Sequence, residues 1–303
     1  MLSISIQEAF PLHAAVELGY LREAGIRLQI EEMPRGSQIT ESLVGGSADL
    51  AYHTFFDTLL RVPGGRRLQS FCTVTRLPPA VLAVSASART RIQRVEDLKG
   101  SVVGIAGFGS GHHRQLEAIL AVHGLGTSHV ELVALGNGAS SIAAIEHGKV
   151  GVAMLNTSVL NTLKKRSPGI RVLVDPRTES ECRRIFGVDA VPSHGLLATS
   201  MWIERNPDMA RDMAQAMVKT MRWIREHSPE EVRALLPERL RTTDADADLD
   251  TIHFVAQALS VDGRMPPEGP ATVRRLYTLP SERQMGGEAD LGGSFTNAFV
   301  EAL

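Results

Sequence analysis

The sequence predicts an α/β protein built as two similar lobes, each a largely parallel, doubly wound sheet. Three observations carry that expectation: short strands alternate with helices, the pattern occurs twice, and two apolar segments can cross between the copies. In the first copy Ser3–Gln7 alternates like a strand, and Leu12–Ala24 has helical spacing that ends at Gly25. Ile26–Met33 alternates again, Ser37–Val44 reads as a short helix closed by Gly45-Gly46, and Ala48–Tyr52 is an apolar strand. Thr54–Arg61 is helical up to Pro63-Gly64-Gly65, and Leu68–Val74 is the next strand. Such alternation with short turns implies a parallel sheet covered by helices.

The second copy runs through strand Val102–Ala106, helix Gly111–His123, strand Val130–Leu135, helix Ala139–His147 and strand Val150–Leu155. The segment Ile30–Ser37 aligns with Leu132–Ala139, and at the same offset Gly46–Ala51 aligns with Gly148–Ala153. Two matches at one offset, with coincident glycines, favour a structural repeat. The expected crossings are Leu77–Val84, opened by Pro78-Pro79, and Val191–Ala198. They divide the chain into one lobe of residues 1–79 with 197–303 and a second of 80–196. The hinge is expected near 77–84 and 191–198.

From Met201 onward the chain is mostly helical. Met209, Met213, Met217 and Met221 form an i, i+4 stripe, which reads as core packing rather than a promiscuous groove. Ser228-Pro229-Glu230-Glu231 is a capping box with proline at the first helical position. The acidic cluster Asp244–Asp250 lacks the glycine-containing calcium loop and reads as solvated helix-end charge.

Composition narrows the function classes. The chain has 303 residues, 43% hydrophobic and 22% charged, an ordinary globular mix. Its formal charge is −2 and its aromatic content 5%, which argues against nucleic acid or an anionic membrane as a partner. Two cysteines exclude a disulfide scaffold: Cys72 reads as a core thiol and Cys182 sits in a charged helical stretch. The opening Met1–Ile6 alternates like a strand and has no leader pattern, so a cytosolic protein and one whose leader was removed both remain open.

Ligands of parallel α/β sheets sit at the carboxyl ends of the strands. That rule selects the turns Gln7–Leu12, Arg35–Ser37 and His53-Thr54 in the first copy, and Gly107–His113, Asn137–Ser140 and Asn156–Ser158 in the second. Most lead into helices, whose free N–H groups and positive ends suit an anion. The sharpest is Gly107-Phe108-Gly109-Ser110-Gly111-His112-His113, in which glycines allow close backbone approach and Ser110 can cap the helix. A plain N-cap turn is the alternative. A dinucleotide fingerprint fails because the motif is GxGxG, and no Walker lysine, GxSxG or HExxH is present. His112-His113 with Glu117 is a weak metal set, because adjacent histidines diverge on a helix. His53 is open between a proton-transfer group, a pocket-lining side chain and a core histidine; pocket lining is preferred. No nucleophile–base pair can be placed from spacing, so no enzyme activity, metal or cofactor is expected.

The order of these features resembles the solute-binding proteins of ABC importers in the nitrate/sulfonate/taurine group, which share a fold with thiamine-pyrimidine synthesis proteins. The carrying residues are Gly19-Tyr20-Leu21 through Ala24-Gly25-Ile26, Gly45–Ala51, Val95-Glu96-Asp97-Leu98-Lys99-Gly100 before the strand Val102–Ala106, Gly107–His112, and Ile203–Pro207. The resemblance covers about Ile4 to Met221. It implies the type II periplasmic-binding-protein fold, a ligand cleft, a cell-envelope location, and an ABC permease as partner. It also implies that a small organic anion is held at Ser110–His112, with Phe10, Pro11, Leu12, Gly36, Ser37, His53, Thr54 and Asn156 contributing. Gly109, Gly111 and Asn137 complete the expected set; Arg35 or Arg76 would add charge, and Glu8 would matter only for an amine-bearing guest. A sulfonate is the first expectation, and a carboxylate or a pyrimidine the alternatives. The pyrimidine-synthesis enzyme on this fold would need a cofactor lysine and a cysteine cluster. The two cysteines stand apart, and none of the five lysines falls at an obvious first-lobe turn. A monomer is the default expectation.

Overall fold

Apolar residues on successive strand positions sort to opposite faces of two five-stranded sheets, so each sheet has a core on both sides. A computed structural model describes residues 2–4, 9–33, 36–60, 66–277 and 291–301. Gln7, Glu8, Arg35 and Pro63-Gly64-Gly65, each named above, lie outside the described residues.

The first part of the chain contains β1 (Leu2–Ile4), α1 (Phe10–Glu17), α2 (Tyr20–Glu23), β2 (Ile30–Glu32), α3 (Gly36–Gly45), β3 (Leu50–Thr54) and β4 (Leu68–Thr75). The helix expected over Leu12–Ala24 is two pieces, because Gly19 takes φ 81° and interrupts the i→i−4 ladder. The helix expected over Thr54–Arg61 is a single 3₁₀ stretch, Phe55–Leu59, since β3 continues through Thr54.

Next come β5 (Val81–Val84), β6 (Val102–Ile105), α4 (Gly111–Val122), β7 (Glu131–Ala134), α5 (Ala139–Glu146), β8 (Val152–Leu155), α6 (Thr157–Arg166), β9 (Arg171–Val174) and α7 (Glu179–Phe186). The chain then returns through β10 (His194–Thr199), α8 (Ser200–Arg205), α9 (Pro207–Glu226), α10 (Pro229–Leu235), α11 (Ala245–Ala258) and α12 (Gly269–Tyr277).

Strand order is β2-β1-β3-β10-β4 in one sheet and β7-β6-β8-β5-β9 in the other. Each has three parallel strands followed by an antiparallel one that arrives through a crossing segment. The repeat read from the glycines is therefore a repeat of topology. In β3, Leu50 and Tyr52 face the α1/α9 side and Ala51 faces α3; in β5, Leu82 and Val84 face one core and Val81 and Ala83 the other.

On α9, Met213, Met217 and Met221 are fully buried, whereas Met209 is exposed. A strict four-residue step advances about 40° per step around a helix of 3.6 residues per turn, so the stripe rotates away from the core at one end. The two crossings are tied together by backbone bonds from Val191 N–H to Arg76 O (2.9 Å) and from Ser193 N–H to Thr75 O (2.9 Å). Buried Gln115 of α4 clamps the first crossing: its Oε1 accepts from Ala80 N–H (3.2 Å) and its Nε2 donates to Ala80 O (2.5 Å). Gln115→Leu would leave both backbone groups buried and unmatched. We expect a loss of about 2–4 kcal/mol in urea unfolding; unchanged stability would show that the clamp contributes nothing.

Candidate functional site

Two helices bridge the sheets and define a cavity. On one side α6 begins after β8, with Asn156 as its N-cap accepting from Val159 N–H at 2.8 Å. Facing it is α11. Asn161 donates to Asp250 (3.0 Å), and Lys165 lies 2.6 Å from Asp244 and 3.2 Å from Asp246. The acidic cluster, read as solvated helix-end charge, thus also joins the two helices, while Asp244 caps α11 through Ala247 N–H.

Between them lies a cavity of about 230 Å³. Its walls come from α1 (Phe10), from both crossings (Thr75, Leu77–Pro79, His194), from the start of α6 (Asn156–Ser158), from Arg177, and from residues 233–258. The Arg177 side chain is buried. It donates through Nε and Nη2 to Asp175 (2.7 and 2.6 Å) and through Nη1 to Thr157 Oγ1 (2.8 Å). Its guanidinium lies 3.8 Å from the Phe254 ring centroid, an arrangement suited to a planar cation. The start of α6 adds the N–H groups of a helix terminus. One end of the cavity is therefore rich in donors, while Phe10, Leu77, Ile252, Phe254 and Val255 supply apolar walls.

Of the expected residues, Phe10 and Asn156 line this cavity. Pro11 and Leu12 are buried within α1. Gly36 and Ser37 open α3, and Gly36 packs against the His53 ring, where a Cβ would meet Cε1 at 3.0 Å. His53 Nε2 sits 2.6 Å from Asp57 Oδ2, whose carboxylate also accepts from Thr40 (2.9 Å). His53 thus belongs to a polar cluster of its own with Asp57 and Thr40, and Thr54 closes β3. Arg76 pairs with Glu179 across the crossing. Ser110 caps α4, accepting from His113 N–H at 3.2 Å, and Gly109 (φ 76°) donates to His113 Nδ1 at 2.9 Å. Gly111 begins that helix, His112 is buried in it, and Asn137 is exposed in the turn after β7. The Ser110 turn and Asn137 lie outside the cavity lining.

Arg177, His194 and Arg239 are lining residues that the sequence reading did not select. Extending the strand-end rule to the turn after Val174 finds Arg177. Arg239 has no such signal, because it follows helix α10.

His13 of α1 is 2% exposed, and its Nδ1 is 3.5 Å from Arg239 Nη2. Burial, with the Arg239 charge second, pushes its imidazole from 6.5 down to about 4. Between those values the unfolded chain binds more protons. The contribution is therefore complete above about pH 6.5 and is lost as pH falls toward 4, by up to about 3 kcal/mol. Urea midpoints at pH 7, 5.5 and 4.5 should fall less steeply in His13→Gln than in the unaltered protein; parallel curves would refute the assignment.

Burial also raises the Cys72 and Cys182 thiols to about 12. Among the described residues no group of three or more His, Cys, Asp or Glu side chains could hold a metal ion. No described helix is long and apolar enough to cross a membrane.

Residues 7–232 match the family model described as NMT1/THI5 like. The chain belongs to the NMT1/THI5-like family. The family match ends before residues 233–258, which supply much of the cavity wall. Among solved structures, a protein of Bordetella bronchiseptica RB50 is 26% identical, with a TM-score of 0.87 over 99% of this chain and 95% of that one. The alkanesulfonate-binding protein SsuA of Xanthomonas axonopodis pv. citri, bound to MOPS, is 18% identical, with a TM-score of 0.74 over 98% of each chain. The periplasmic nitrate-binding protein NrtA of Synechocystis PCC 6803 is 14% identical, with a TM-score of 0.66 over 82% of this chain and 68% of that one. No curated protein matches the sequence. This NMT1/THI5-like chain has the periplasmic-binding-protein fold.

Proposed function

We propose that the chain is a solute-binding protein that captures a small organic anion in the cavity between the sheets and delivers it to an ABC permease at the cell envelope. The observation that carries this reading is the cavity itself, with helix-start donors and a buried arginine at one end and apolar walls from Phe10, Leu77 and Phe254 beside them. A sulfonate is the first choice and a carboxylate the second. The acid group accepts from the N–H groups opening α6 beside Arg177, and the body packs against Phe10, Leu77 and Phe254. The likeness to an alkanesulfonate-binding protein supports a sulfonate guest, and that to a nitrate-binding protein supports an anionic one.

In this reading residues 1–79 with 197–303 form one lobe, 80–196 the other, and the paired crossings near 77–84 and 191–198 form the hinge. Closure is favoured by a guest that touches both lobes, because only differential contact shifts the equilibrium. The pairs of Lys165 with Asp244 and Asp246 are solvent-exposed and therefore weak, so they do not lock the lobes shut. Held by dipoles, arginine charge and apolar contact, the guest is bound without a catalytic step and can be released to the permease.

Thermal shift with nitrate, alkyl and aryl sulfonates, the matching carboxylates, and pyrimidines tests the proposal. Sulfonates with an apolar body should raise Tm most. Nitrate should do little, because it is too small to reach the apolar walls of a cavity of about 230 Å³ while seated at the α6 end. Stabilisation by pyrimidines alone, or by none of the anions, would overturn it.

A further inference from the structure

The cavity has a second cationic end. We infer that its guest is an elongated dianion, with one acid group at the start of α6 and the other at Arg239. This inference rests on the organic-anion reading of the same cavity and goes further by fixing the number and spacing of the charges.

Helices α6 and α11 run antiparallel, since Asn161 meets Asp250 while Lys165 meets Asp244. The start of α6 therefore lies beside the later half of α11, where Arg177 stacks on Phe254. The segment that carries Arg239 is pinned to the earlier half. Arg233 Nε is 2.8 Å from Asp248 Oδ2, and Thr242 Oγ1 donates to Asp248 Oδ1 at 2.7 Å. From Asp248 to Val255 the helix rises about 10 Å at 1.5 Å per residue. Ile252 and Val255, with Phe10 from α1, form an apolar waist between the two ends.

Charge at the second end is unevenly compensated. Asp248 has both oxygens engaged by Arg233 and Thr242. Arg241 is folded back onto α10, donating to Leu236 O (2.7 Å) and Ala234 O (3.2 Å). Arg239 faces the His13 ring, whose buried Nε2 has no hydrogen-bond partner among the described residues. Its nearest carboxylate among the described residues is Glu32 Oε1, at 4.0 Å. With only an imidazole and a carboxylate at the limit of ion pairing beside it, the half-exposed Arg239 guanidinium can still pair with a guest. A monoanion seated at the start of α6 occupies the far end of α11 from the segment that carries Arg239; a guest whose two acid groups span about the 10 Å from Asp248 to Val255 would reach both ends.

Isothermal titration of the full chain with biphenyl-4,4′-disulfonate and with biphenyl-4-sulfonate tests this. The disulfonate should bind about tenfold tighter or better. In Arg239→Gln, with far-UV circular dichroism confirming the fold, the ratio of the two affinities should fall to about one. Equal affinities in the unaltered chain, or a ratio preserved in Arg239→Gln, would overturn the inference while leaving the organic-anion reading intact. Failure of both probes to bind the unaltered chain would overturn both.

Discussion

Arg177→Met is expected to abolish detectable binding of aryl sulfonates and to lower stability by about 3 kcal/mol. Three donor positions of the guanidinium are committed to Asp175 and Thr157, and the remaining N–H groups have no partner among the described residues. Methionine keeps much of the volume but none of the donors. It also strands the Asp175 carboxylate, a loss that falls at the low end of the range for a broken buried pair because Asp175 is one-third exposed. Arg177→Lys separates charge from geometry. An ammonium cannot hold Asp175 and Thr157 together as a planar fork does, so binding should weaken at least about tenfold although the charge remains. Titration and urea unfolding of the three proteins check both effects. Full affinity in Arg177→Met would remove Arg177 from the site.

Gly195→Val is expected to have the largest effect on folding. Gly195 lies on β10, which pairs with β3 on one side and β4 on the other. A Cβ there would stand 2.7 Å from Cys72 O and 2.8 Å from Ser70 Oγ. The serine can rotate, but the carbonyl is fixed in the strand. Valine adds two methyl groups to that clash, so the cost should reach about 3 kcal/mol or more, a large share of a typical domain's 5–15 kcal/mol. We expect Gly195→Val to be recovered mainly as insoluble protein and Gly195→Ala to fold with a lowered Tm. A soluble valine variant with unchanged Tm would contradict the close approach of β10 and β4.

The layered α/β plan was legible because strand–helix alternation and glycine stops are local signals. The repeat was legible because Gly46–Ala51 and Gly148–Ala153 each lead into the third parallel strand of their sheet. Finer features were not. Gly19 was one glycine in a helical pattern, and only its left-handed backbone reveals the break between α1 and α2. The strand-end rule reached Asn156 directly, and it would have reached Arg177 had β9 been recognised. The opposite wall could not be found that way. Arg239, Ile252 and Phe254 come from a helical region whose position over the sheets depends on tertiary contacts such as Asn161–Asp250, and no strand end marks them. Similarly, a histidine after a buried strand does not disclose its partner. His53 is held by Asp57 one helical turn on, a contact that takes shape only when the chain turns sharply after Thr54.

The central claim is that an organic anion occupies the space between α6, α11 and the crossings. Diffraction from crystals grown with 4-bromobenzenesulfonate tests it most directly, because bromine gives an anomalous signal that marks the ring. The account predicts a bromine peak between Phe10 and Phe254, with the sulfonate at the start of α6 beside Arg177. A peak at the Ser110 turn, or anywhere outside the space between the sheets, would contradict it.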